Sequence, residues 1–472
     1  GGAIYNSGTL GNITGDFIGN YASSESETAK GGAIYNGRTI GNISGDFIGS
    51  HAVGKGEYGS AEGGAIYNSG TLGNITGDFI GNHASSFSPY YAAQGGVIYN
   101  DSGTIGDITG DFSGNYASSE TGTAQGGAIY NYYGTIGNIS GNFIGNYASV
   151  NSESGTAQGG AIYNYYGTIT IAGASTFTDN YVEKNGKKTS NAIHNKGNYS
   201  GDAIINFNSG NIVINDGITG ENYKDGNYIY KSIFNFAGQQ TATSDNDVIT
   251  LNNSLTNSDT TKGNIEVNLA KGTLKLGHYT SEKFGDSHGT LGEGVDFNVS
   301  GGKLTTQDGI TDDHNLGNLK LSADLNTAID VDLGNTKGDV LSATSVSGDS
   351  KVVVKNIKVL ADGTNHIVKV QVADENIKDF MDLANDVKVK LDDTDFRKYL
   401  IVYEKDTGNL KFGQVDALET AVQFENANKV FAMGSNIAAD TDLGALTGDS
   451  LSISGNGHTI DGNNNKGSNL RH

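Results

Sequence analysis

The chain has 472 residues, a mass of 49.1 kDa and a formal net charge of −22 at pH 7, with 71 Gly, one Pro and no Cys or Trp. The Gly content argues against a helix-rich enzyme, because each Gly inside a helix costs about 0.5–1 kcal/mol relative to Ala. The absence of Cys excludes a disulfide scaffold. The acidic charge argues against nucleic acid as a partner. No segment approaches 18 consecutive apolar residues, so we expect no membrane insertion by this chain.

A repeat of about 31 residues dominates the first part of the chain. The hexapeptide GGAIYN, once GGVIYN, begins at Gly1, Gly31, Gly63, Gly95, Gly126 and Gly159. A worn copy, SNAIHN, begins at Ser190. The first five copies are followed by a second block, which reads TLGNITGDFIGN in its first occurrence. Only the tail of each unit changes in length and composition.

A nearly fixed body with a variable tail is typical of a solenoid whose insertions are confined to loops on one edge. The apolar runs are very short and lie between Gly, Asn and Thr, which indicates short strands and turns rather than amphipathic helices. We therefore predict an all-β chain that folds as a right-handed parallel β-helix. Its coils should contain about 31 residues in the N-terminal part, with less regular coils and a capping region after it.

Stacked coils lie about 4.8 Å apart, so each fixed repeat position should form a ladder. The predicted isoleucine ladder contains Ile4, Ile34, Ile66, Ile98, Ile129 and Ile162. The phenylalanine ladder contains Phe17, Phe47, Phe79, Phe112, Phe143 and Phe177. The asparagine ladder, at a turn, contains Asn6, Asn36, Asn68, Asn100, Asn131, Asn164 and Asn195. The tyrosine ladder, ending at His194, contains Tyr5, Tyr35, Tyr67, Tyr99, Tyr130 and Tyr163. Each buried amide could then donate to one neighbouring coil and accept from the other.

The paired motifs GGA[ILV] and FxxN, as in Gly1-Gly2-Ala3-Ile4 with Phe17-Ile18-Gly19-Asn20, recur in the five later copies. In this the chain resembles the chlamydial polymorphic outer-membrane proteins and, more broadly, passenger domains of autotransporter (type V secreted) adhesins. A looser resemblance to the end of such passengers covers 328–413. The resemblance implies an extracellular β-helix on the bacterial surface, tethered through an outer-membrane barrel absent from this chain, or released.

The repeat pattern and this resemblance divide the chain into five segments. We predict GGAIYN/FxxN repeats over 1–189, irregular coils over 190–335, a capping or autochaperone-like region over 336–413, a connector over 414–447 and a truncated further β-helix over 448–472. Apolar residues in 374–386 have a helical spacing and predict a capping helix. Because Gly1 already lies within a repeat, we expect a mature or excised fragment whose native chain continues past His472.

Two repeated positions could bind cations. Four carboxylates at Asp16, Asp46, Asp78 and Asp111 would stack at the rung spacing, and like charges that close take up protons or hold cations. A weak Ca²⁺-binding edge is one interpretation. We favour exposed turn residues with their charges directed into water, and we expect no other cofactor.

His51 and His83 occupy a position that is Tyr in the other copies. Two His on successive coils could bind a metal, but we favour their stacking as members of an aromatic ladder. The tyrosines at the same position are Tyr21, Tyr116, Tyr147 and Tyr181.

Aromatic side chains outside the ladders are the candidate binding residues. The third tail holds a compact group made of Phe87, Tyr90 and Tyr91. Two turns after the asparagine ladder add Tyr132, Tyr133, Tyr165 and Tyr166. Exposed Tyr suits sugar faces and protein hot spots, because it is rigid and amphipathic. The alternative, that these rings pack their own loops against the solenoid, stays open here.

Three functions from different classes fit this sequence. The first is a surface-exposed or secreted autotransporter-type adhesin that attaches to glycans or proteins of host or other bacterial cells. The second is a structural protein that self-associates into fibres or aggregates through open ladder edges. The third is a polysaccharide lyase or hydrolase, which needs a local carboxylate pair that breaks the repeat. No such pair interrupts 1–180, so we predict an adhesin and not an enzyme.

Overall fold

The computed structural model describes residues 1–208, 210–236, 247–361, 368–390 and 399–414, together with four short strands. Those strands are Lys429–Ala432, Ile437–Ala438, Leu451–Ser454 and Ile460–Asp461. The predicted connector over 414–447 and the further β-helix over 448–472 therefore lie almost wholly outside the described residues.

The described part of the chain is all-β, with 59% of its residues in strands and almost no helix. Its parallel sheets stack as a β-solenoid of about 12 turns with a spacing of about 31 residues. This confirms the predicted fold class. The chain divides into two compact units, one comprising 1–274 and 278–296, the other 275–277 and 297–472.

The repeats of the first unit contribute six stacks of short parallel strands. The strands carrying the IYN triplet, which is IHN in the last of them, are Ile4–Asn6, Ile34–Asn36, Ile66–Asn68, Ile98–Asp101, Ile129–Tyr132, Ile162–Tyr165 and Ile193–Lys196. The strands after the next turn are Thr9–Leu10, Thr39–Ile40, Thr71–Leu72, Thr104–Ile105, Thr135–Ser140 and Thr168–Ile171. Four more continue in the same sheet as Ile13–Thr14, Ile43–Ser44, Ile75–Thr76 and Ile108–Thr109.

The other three faces of the coils are equally regular. Phe-bearing strands are Phe17–Ile18, Phe47–Ile48, Phe79–Ile80, Phe112–Ser113, Phe143–Ile144 and Ser175–Thr178. The next stack contains Tyr21–Ser24, His51–Gly54, His83–Ser86, Tyr116–Ser119, Tyr147–Val150 and Tyr181–Lys184. The last contains Ala29–Lys30, Ala61–Glu62, Ala93–Gln94, Thr123–Gln125 and Thr156–Gln158.

Apolar side chains fill the inside of every coil. In the third coil Ile66, Phe79 and Ala84 are completely buried. The Phe79 ring stacks on those of Phe47 and Phe112, with centroids 5.4 and 4.4 Å away. Burial of one such ring contributes about 1.5–3 kcal/mol, so the repeated core adds a similar amount with every coil.

The Gly pair at the start of each sequence repeat is required by close backbone packing. Gly63 has a φ of +68°, a conformation that non-Gly residues rarely adopt. A Cβ on Gly64 would lie 2.0 Å from the carbonyl oxygen of Gly96 in the next coil. Only Gly at the second position lets successive coils approach to strand-pairing distance.

Two rows of amides tie neighbouring coils together inside the solenoid. In the asparagine ladder, Asn68 Nδ2 donates to Asn100 Oδ1 at 2.8 Å, and Asn100 Nδ2 donates to Asn131 Oδ1 at 2.9 Å. A second row uses the Asn of FxxN, where Asn115 Nδ2 donates to Asn146 Oδ1 at 2.9 Å and to the Phe79 carbonyl at 2.9 Å. The amides thus satisfy one another, as buried polar groups must.

Beyond the repeats, the first unit continues with less regular strands. They are Lys187–Ser190, Ala203–Phe207, Asn211–Ile214, Ile218–Glu221, Tyr223–Asp225, Tyr228–Tyr230, Ser232–Phe236, Val248–Leu251, Ser254–Asn257, Ile265–Leu269, His278–Ser281 and Gly285–His288. A 3₁₀ turn covers Thr260–Lys262. Strands Thr273–Leu276 and Thr290–Val299 include residues of both units.

The second unit combines strands of eight to ten residues with shorter ones. They are Lys303–Thr305, Asp313–Leu321, Leu325–Asp332, Lys337–Gly338, Val340–Ser342, Ser345–Gly348, Val352–Ala361, Val368–Gln371, Met381–Lys390, Tyr399–Glu404 and Asn409–Gln414.

The capping helix predicted over 374–386 is wrong. Lys378–Phe380 forms a single 3₁₀ turn, and Met381–Lys390 is a strand that pairs with Val352–Ala361. The register between these two strands shifts after Val354, which breaks the alternation expected of a strand. The apolar residues therefore have a spacing like that of a helix, although the backbone N–H and C=O groups form the hydrogen bonds of paired strands.

We predict that Asn100→Ala lowers the free energy of unfolding by about 3 kcal/mol, because it leaves Asn68 Nδ2 and Asn131 Oδ1 buried without their partner. The matched control is Asn138→Ala, at an exposed position of the next coil, which should change stability by less than about 0.5 kcal/mol. Urea denaturation followed by circular dichroism measures both. Equal losses in the two variants would contradict the structural role of the ladder.

Candidate functional site

The loop between the third and fourth coils presents exposed aromatic rings on a fixed support. Phe87 is 50% exposed, Tyr90 72% and Tyr91 44%. Ser88 between them is fully buried, and its Oγ donates to the Glu57 carbonyl and accepts from the backbone N–H groups of Tyr90 and Tyr91. We call Phe87, Tyr90 and Tyr91 the loop patch. Its backbone is held from beneath while its rings face solvent.

The turn after the asparagine ladder lengthens by one residue in the fourth to sixth coils. Asn68 is followed by two residues before Thr71, whereas Asn131 is followed by three before Thr135. The additional residues have positive φ values, 57° at Tyr133 and 48° at Tyr166. Such a conformation costs roughly 1–2 kcal/mol for a residue with a side chain, so the surrounding contacts must hold these tyrosines in place.

Those contacts join the turn tyrosines to one another. The rings of Tyr132 and Tyr165 stack with centroids 5.5 Å apart, and Tyr133 meets Tyr132 and Tyr166 edge-on at 4.5 and 4.8 Å. All four rings are half-buried. This turn cluster (Tyr132, Tyr133, Tyr165 and Tyr166) therefore packs largely against itself, and only part of each ring is open to a partner.

The structure adds residues that the sequence analysis missed. Asn198 Nδ2 donates to the Tyr133 hydroxyl, and Tyr199, which is 60% exposed, meets Tyr223 edge-on at 6.2 Å. Burial, followed by a hydrogen bond to Tyr199, raises the pKa of Tyr133 above its usual range. Tyr199 and Tyr223 belong to the irregular region after the repeats, where no periodicity marks them. The density of tyrosines between 199 and 230 was the only available signal.

The rings of His51 and His83 stack within an aromatic ladder, as the favoured interpretation had it. Together with the four tyrosines at this position they form the histidine–tyrosine ladder. The His51 and His83 rings lie 4.7 Å apart and nearly parallel, and His83 stacks on Tyr116 at 4.6 Å. Burial, with a smaller contribution from the charge of His51, lowers the pKa of His83 to about 4.

The four repeated aspartates cap backbone groups. Asp16 Oδ1 accepts from the backbone N–H of Asp46 at 3.0 Å, Asp46 from that of Asp78 at 2.8 Å, and Asp78 from that of Asp111 at 2.9 Å. The residues are exposed or half-buried. Each carboxylate therefore has a hydrogen-bonding role in the ladder, and the Ca²⁺-binding interpretation stays without a geometric argument.

The second unit contains buried acids of a different kind. Asp330 and Asp339 are both fully buried, and Asp339 Oδ2 accepts from Thr306 Oγ1 at 2.5 Å and from the backbone N–H of Asp330 at 2.7 Å. Burial raises the pKa of Asp330 to about 6 and that of Asp339 to about 8, in spite of these hydrogen bonds. Asp330 Oδ1 is buried without a hydrogen-bond partner. A proton on this carboxyl group reduces the cost of its burial.

No family model, curated protein or solved structure matches this chain. Among the described residues, no three His, Asp or Glu side chains are grouped so that they could hold a metal ion. No helix in the described part of the chain is long and apolar enough to cross a membrane. The candidate site therefore consists of aromatic surfaces on a polar solenoid, namely the loop patch, the turn cluster and the histidine–tyrosine ladder.

We predict that His83→Tyr makes the first unit less sensitive to acid. The pKa of His83 is about 4 in the folded chain against a reference of 6.5, so the unfolded chain binds more protons between these values. The stabilisation by neutral His83 is complete above pH 6.5 and is lost as the pH falls toward 4. The difference in unfolding midpoint between the variant and the parent should therefore grow over this window. The control, His288→Tyr at an exposed site, should show no such trend in the same urea titrations.

For the second unit we predict the opposite pH dependence of stability. The pKa of Asp339 is raised from 3.8 to about 8 on folding, so its stabilising protonation is present at pH 4 and is lost as the pH rises to 8. We expect Asp339→Asn to flatten this decline, measured by hydrogen exchange of the second unit at pH 5 and pH 8. The exposed control Asp349→Asn should keep the parent's pH dependence. An unchanged slope in Asp339→Asn would disprove the assignment.

Proposed function

We propose that this chain is the passenger portion of a bacterial surface-exposed or secreted adhesin of the autotransporter type. It attaches the bacterium to host cells or to other bacterial cells by contacting their surface glycans or proteins. The proposal includes an extracellular location, with attachment to the outer membrane through a separate barrel or release from the cell.

The loop patch is the observation that carries this proposal. Its three rings are 44–72% exposed although they stand on a loop fixed by a buried Ser88. Exposed aromatic rings on a rigid support lose little conformational entropy on binding, which is why Tyr is enriched in binding sites. A purely structural loop would gain nothing from exposing them.

The distribution of sequence variation supports the same function. The coil body is nearly invariant from one repeat to the next, and its residues are committed to ladders and strand pairing. Variation and surplus aromatic residues are concentrated in the tails and in the turns after the asparagine ladder. Loops on a rigid scaffold are where binding residues are found most often. The paired GGA[ILV] and FxxN motifs favour an adhesin of the passenger type within this class.

We expect microspheres coated with the chain to attach to epithelial or bacterial cells about tenfold more than microspheres coated with an unrelated protein of equal negative charge. Replacement of the loop patch by Phe87→Ser, Tyr90→Ser and Tyr91→Ser should remove most of this attachment, because the exposed anchors are lost. Attached microspheres are counted under flow.

Ile144→Ser is the matched control, because Ile144 is an exposed apolar residue, 45% exposed, outside the candidate surfaces. Circular dichroism must show all variants folded. Attachment to no cell type would refute the adhesin. Clumping of the microspheres with one another, without attachment to cells, would instead support the self-associating alternative.

A further inference from the structure

The sheet that carries the histidine–tyrosine ladder turns a second row of side chains outward. In each of its first five strands the first and third residues face out, while the second and fourth face the core. The outward first residues are Tyr21, His51, His83, Tyr116 and Tyr147. The outward third residues are Ser23, Val53, Ser85, Ser118 and Ser149. We call these two rows together the outer stripe.

The outer stripe repeats at one strand spacing. Successive ring centroids are 4.6, 4.7, 4.6 and 4.9 Å apart from Tyr21 to Tyr147. From His51 onward the rings are within 9° of parallel, so their faces cover one another and their edges are turned outward. Each coil therefore offers one hydroxyl or ring nitrogen, and most coils add a serine hydroxyl beside it.

The stripe is uncharged within a strongly acidic protein. None of its ten side chains is Asp, Glu, Lys or Arg, whereas the chain carries 52 acidic residues. Among the residues that the structure describes, Lys55 is the one Lys over a ring of the open rungs, and its Nζ is 5.9 Å from the Tyr21 centroid. A neutral partner with many hydroxyl groups matches this surface better than a charged one.

The sixth rung closes the stripe. Tyr181 is only 7% exposed, because Lys283 Nζ lies 3.6 Å from its ring centroid and Phe284 packs at 6.2 Å. Both belong to the hairpin between His278 and His288, which Ser281 Oγ anchors by donating to Asp179 Oδ1 at 3.1 Å. Five open rungs end at this barrier.

We propose that the outer stripe binds an extended, neutral, β-linked polysaccharide, with its chain along the stack and one sugar on each coil. The rungs of the stripe lie about 4.8 Å apart, which is the spacing of paired strands, and the length of one residue in an extended β-linked pyranose chain is similar to that spacing. Its hydroxyl groups would therefore meet the ring edges and serine hydroxyls in a repeating register. The closed sixth rung ends the site on one side, and the five open rungs of this chain provide places for about five sugar residues.

Other occupants fit the stripe less well. An extended peptide advances by about 3.3 Å per residue and would lose register with the rungs. A second copy of this chain has the same spacing, but the stripe has one Val among its ten residues and lacks the apolar centre of a stable dimer. The polysaccharide deepens the proposed adhesin function, on which it rests, by naming one ligand class for a surface other than the loop patch.

The test uses the whole chain and β-1,4-linked glucose oligosaccharides of two to eight residues in isothermal titration calorimetry. Affinity should rise with length up to about five residues and then level off, since five rungs are open. The α-1,4-linked oligosaccharides of equal length, which coil, should bind about tenfold more weakly, a difference of 1.4 kcal/mol. Failure of every β-linked oligosaccharide to bind, or equal binding of both series, would overturn the proposal.

Ser118→Arg should weaken binding of the five-residue oligosaccharide about tenfold, because the long side chain covers the middle of the stripe. The matched control is Thr109→Arg, which adds the same side chain at an exposed position of the same coil on another face and should leave affinity unchanged. Equal losses in both variants would contradict the location. Sedimentation velocity of the same samples shows whether the chain forms a dimer. A dimer that is present in the parent chain and lost in Ser118→Arg would show that the stripe binds a second copy of the chain, and would overturn the proposal.

The failure of this inference is separable from that of the adhesin. If the chain binds no β-linked oligosaccharide, and microspheres coated with the parent chain or with Ser118→Arg attach to cells equally well, the proposal for the outer stripe is wrong. The adhesin proposal is then unaffected. If the parent chain binds the oligosaccharide, Ser118→Arg removes that binding, and the microspheres attach to no cell, the proposal for the outer stripe is supported and the adhesin proposal is refuted.

Discussion

The structure of the first unit depends on in-register stacking of identical positions. A parallel sheet pairs each residue with its counterpart one coil away, so Ile66 lies between Ile34 and Ile98, and Phe79 between Phe47 and Phe112. Buried Asn is tolerated at such a position because its amide donates to one neighbour and accepts from the other. A single Asn in this core would be costly, whereas a row of them satisfies itself. The repeat of the sequence is therefore a requirement of the hydrogen bonding.

A self-satisfying row needs a different residue where it ends. The asparagine row of the FxxN motif ends at Asp216, whose Oδ2 accepts from Asn180 Nδ2 at 2.7 Å. A carboxylate has no N–H group to donate to a further coil, so the row stops there. Burial raises the pKa of Asp216 to about 6. The tyrosine ladder ends similarly at His194, which stacks on Tyr163 at 5.0 Å and receives a contact from Thr219 Oγ1 at 2.8 Å. Two titratable groups with altered pKa values, Asp216 and His194, thus lie where ladders stop.

The same constraint separates structural from functional residues. Side chains that face the interior must repeat, because a change in one coil disturbs its neighbours on both sides. Side chains in the variable tails have few such neighbours, and there the chain places Phe87, Tyr90 and Tyr91. The outer stripe is an intermediate case, since its backbone must stay in register while its side chains face solvent. A regular row of weak contacts suits a repeating ligand, whereas the irregular loop patch suits a single contact of higher specificity.

The 30–33-residue spacing of GGAIYN and the short apolar runs determined the parallel β-solenoid class, because a nearly constant coil body brings like residues into register while the tails absorb the differences in length. The sequence could also place the loop patch and the turn tyrosines on variable segments. It could not show that Ser88 fixes the loop from beneath, or that Tyr199 and Tyr223 approach the turn cluster, since those contacts join positions without periodicity.

The strand Met381–Lys390 was hidden from sequence reasoning by a register shift. The closing of the outer stripe joins Ser281 to Asp179, 102 residues apart. The repeated sequence pattern determines the conformation of each coil, because every coil makes the same ladder contacts with its neighbours. Contacts between non-repeating segments are decided only by tertiary packing, because no neighbour in sequence specifies them.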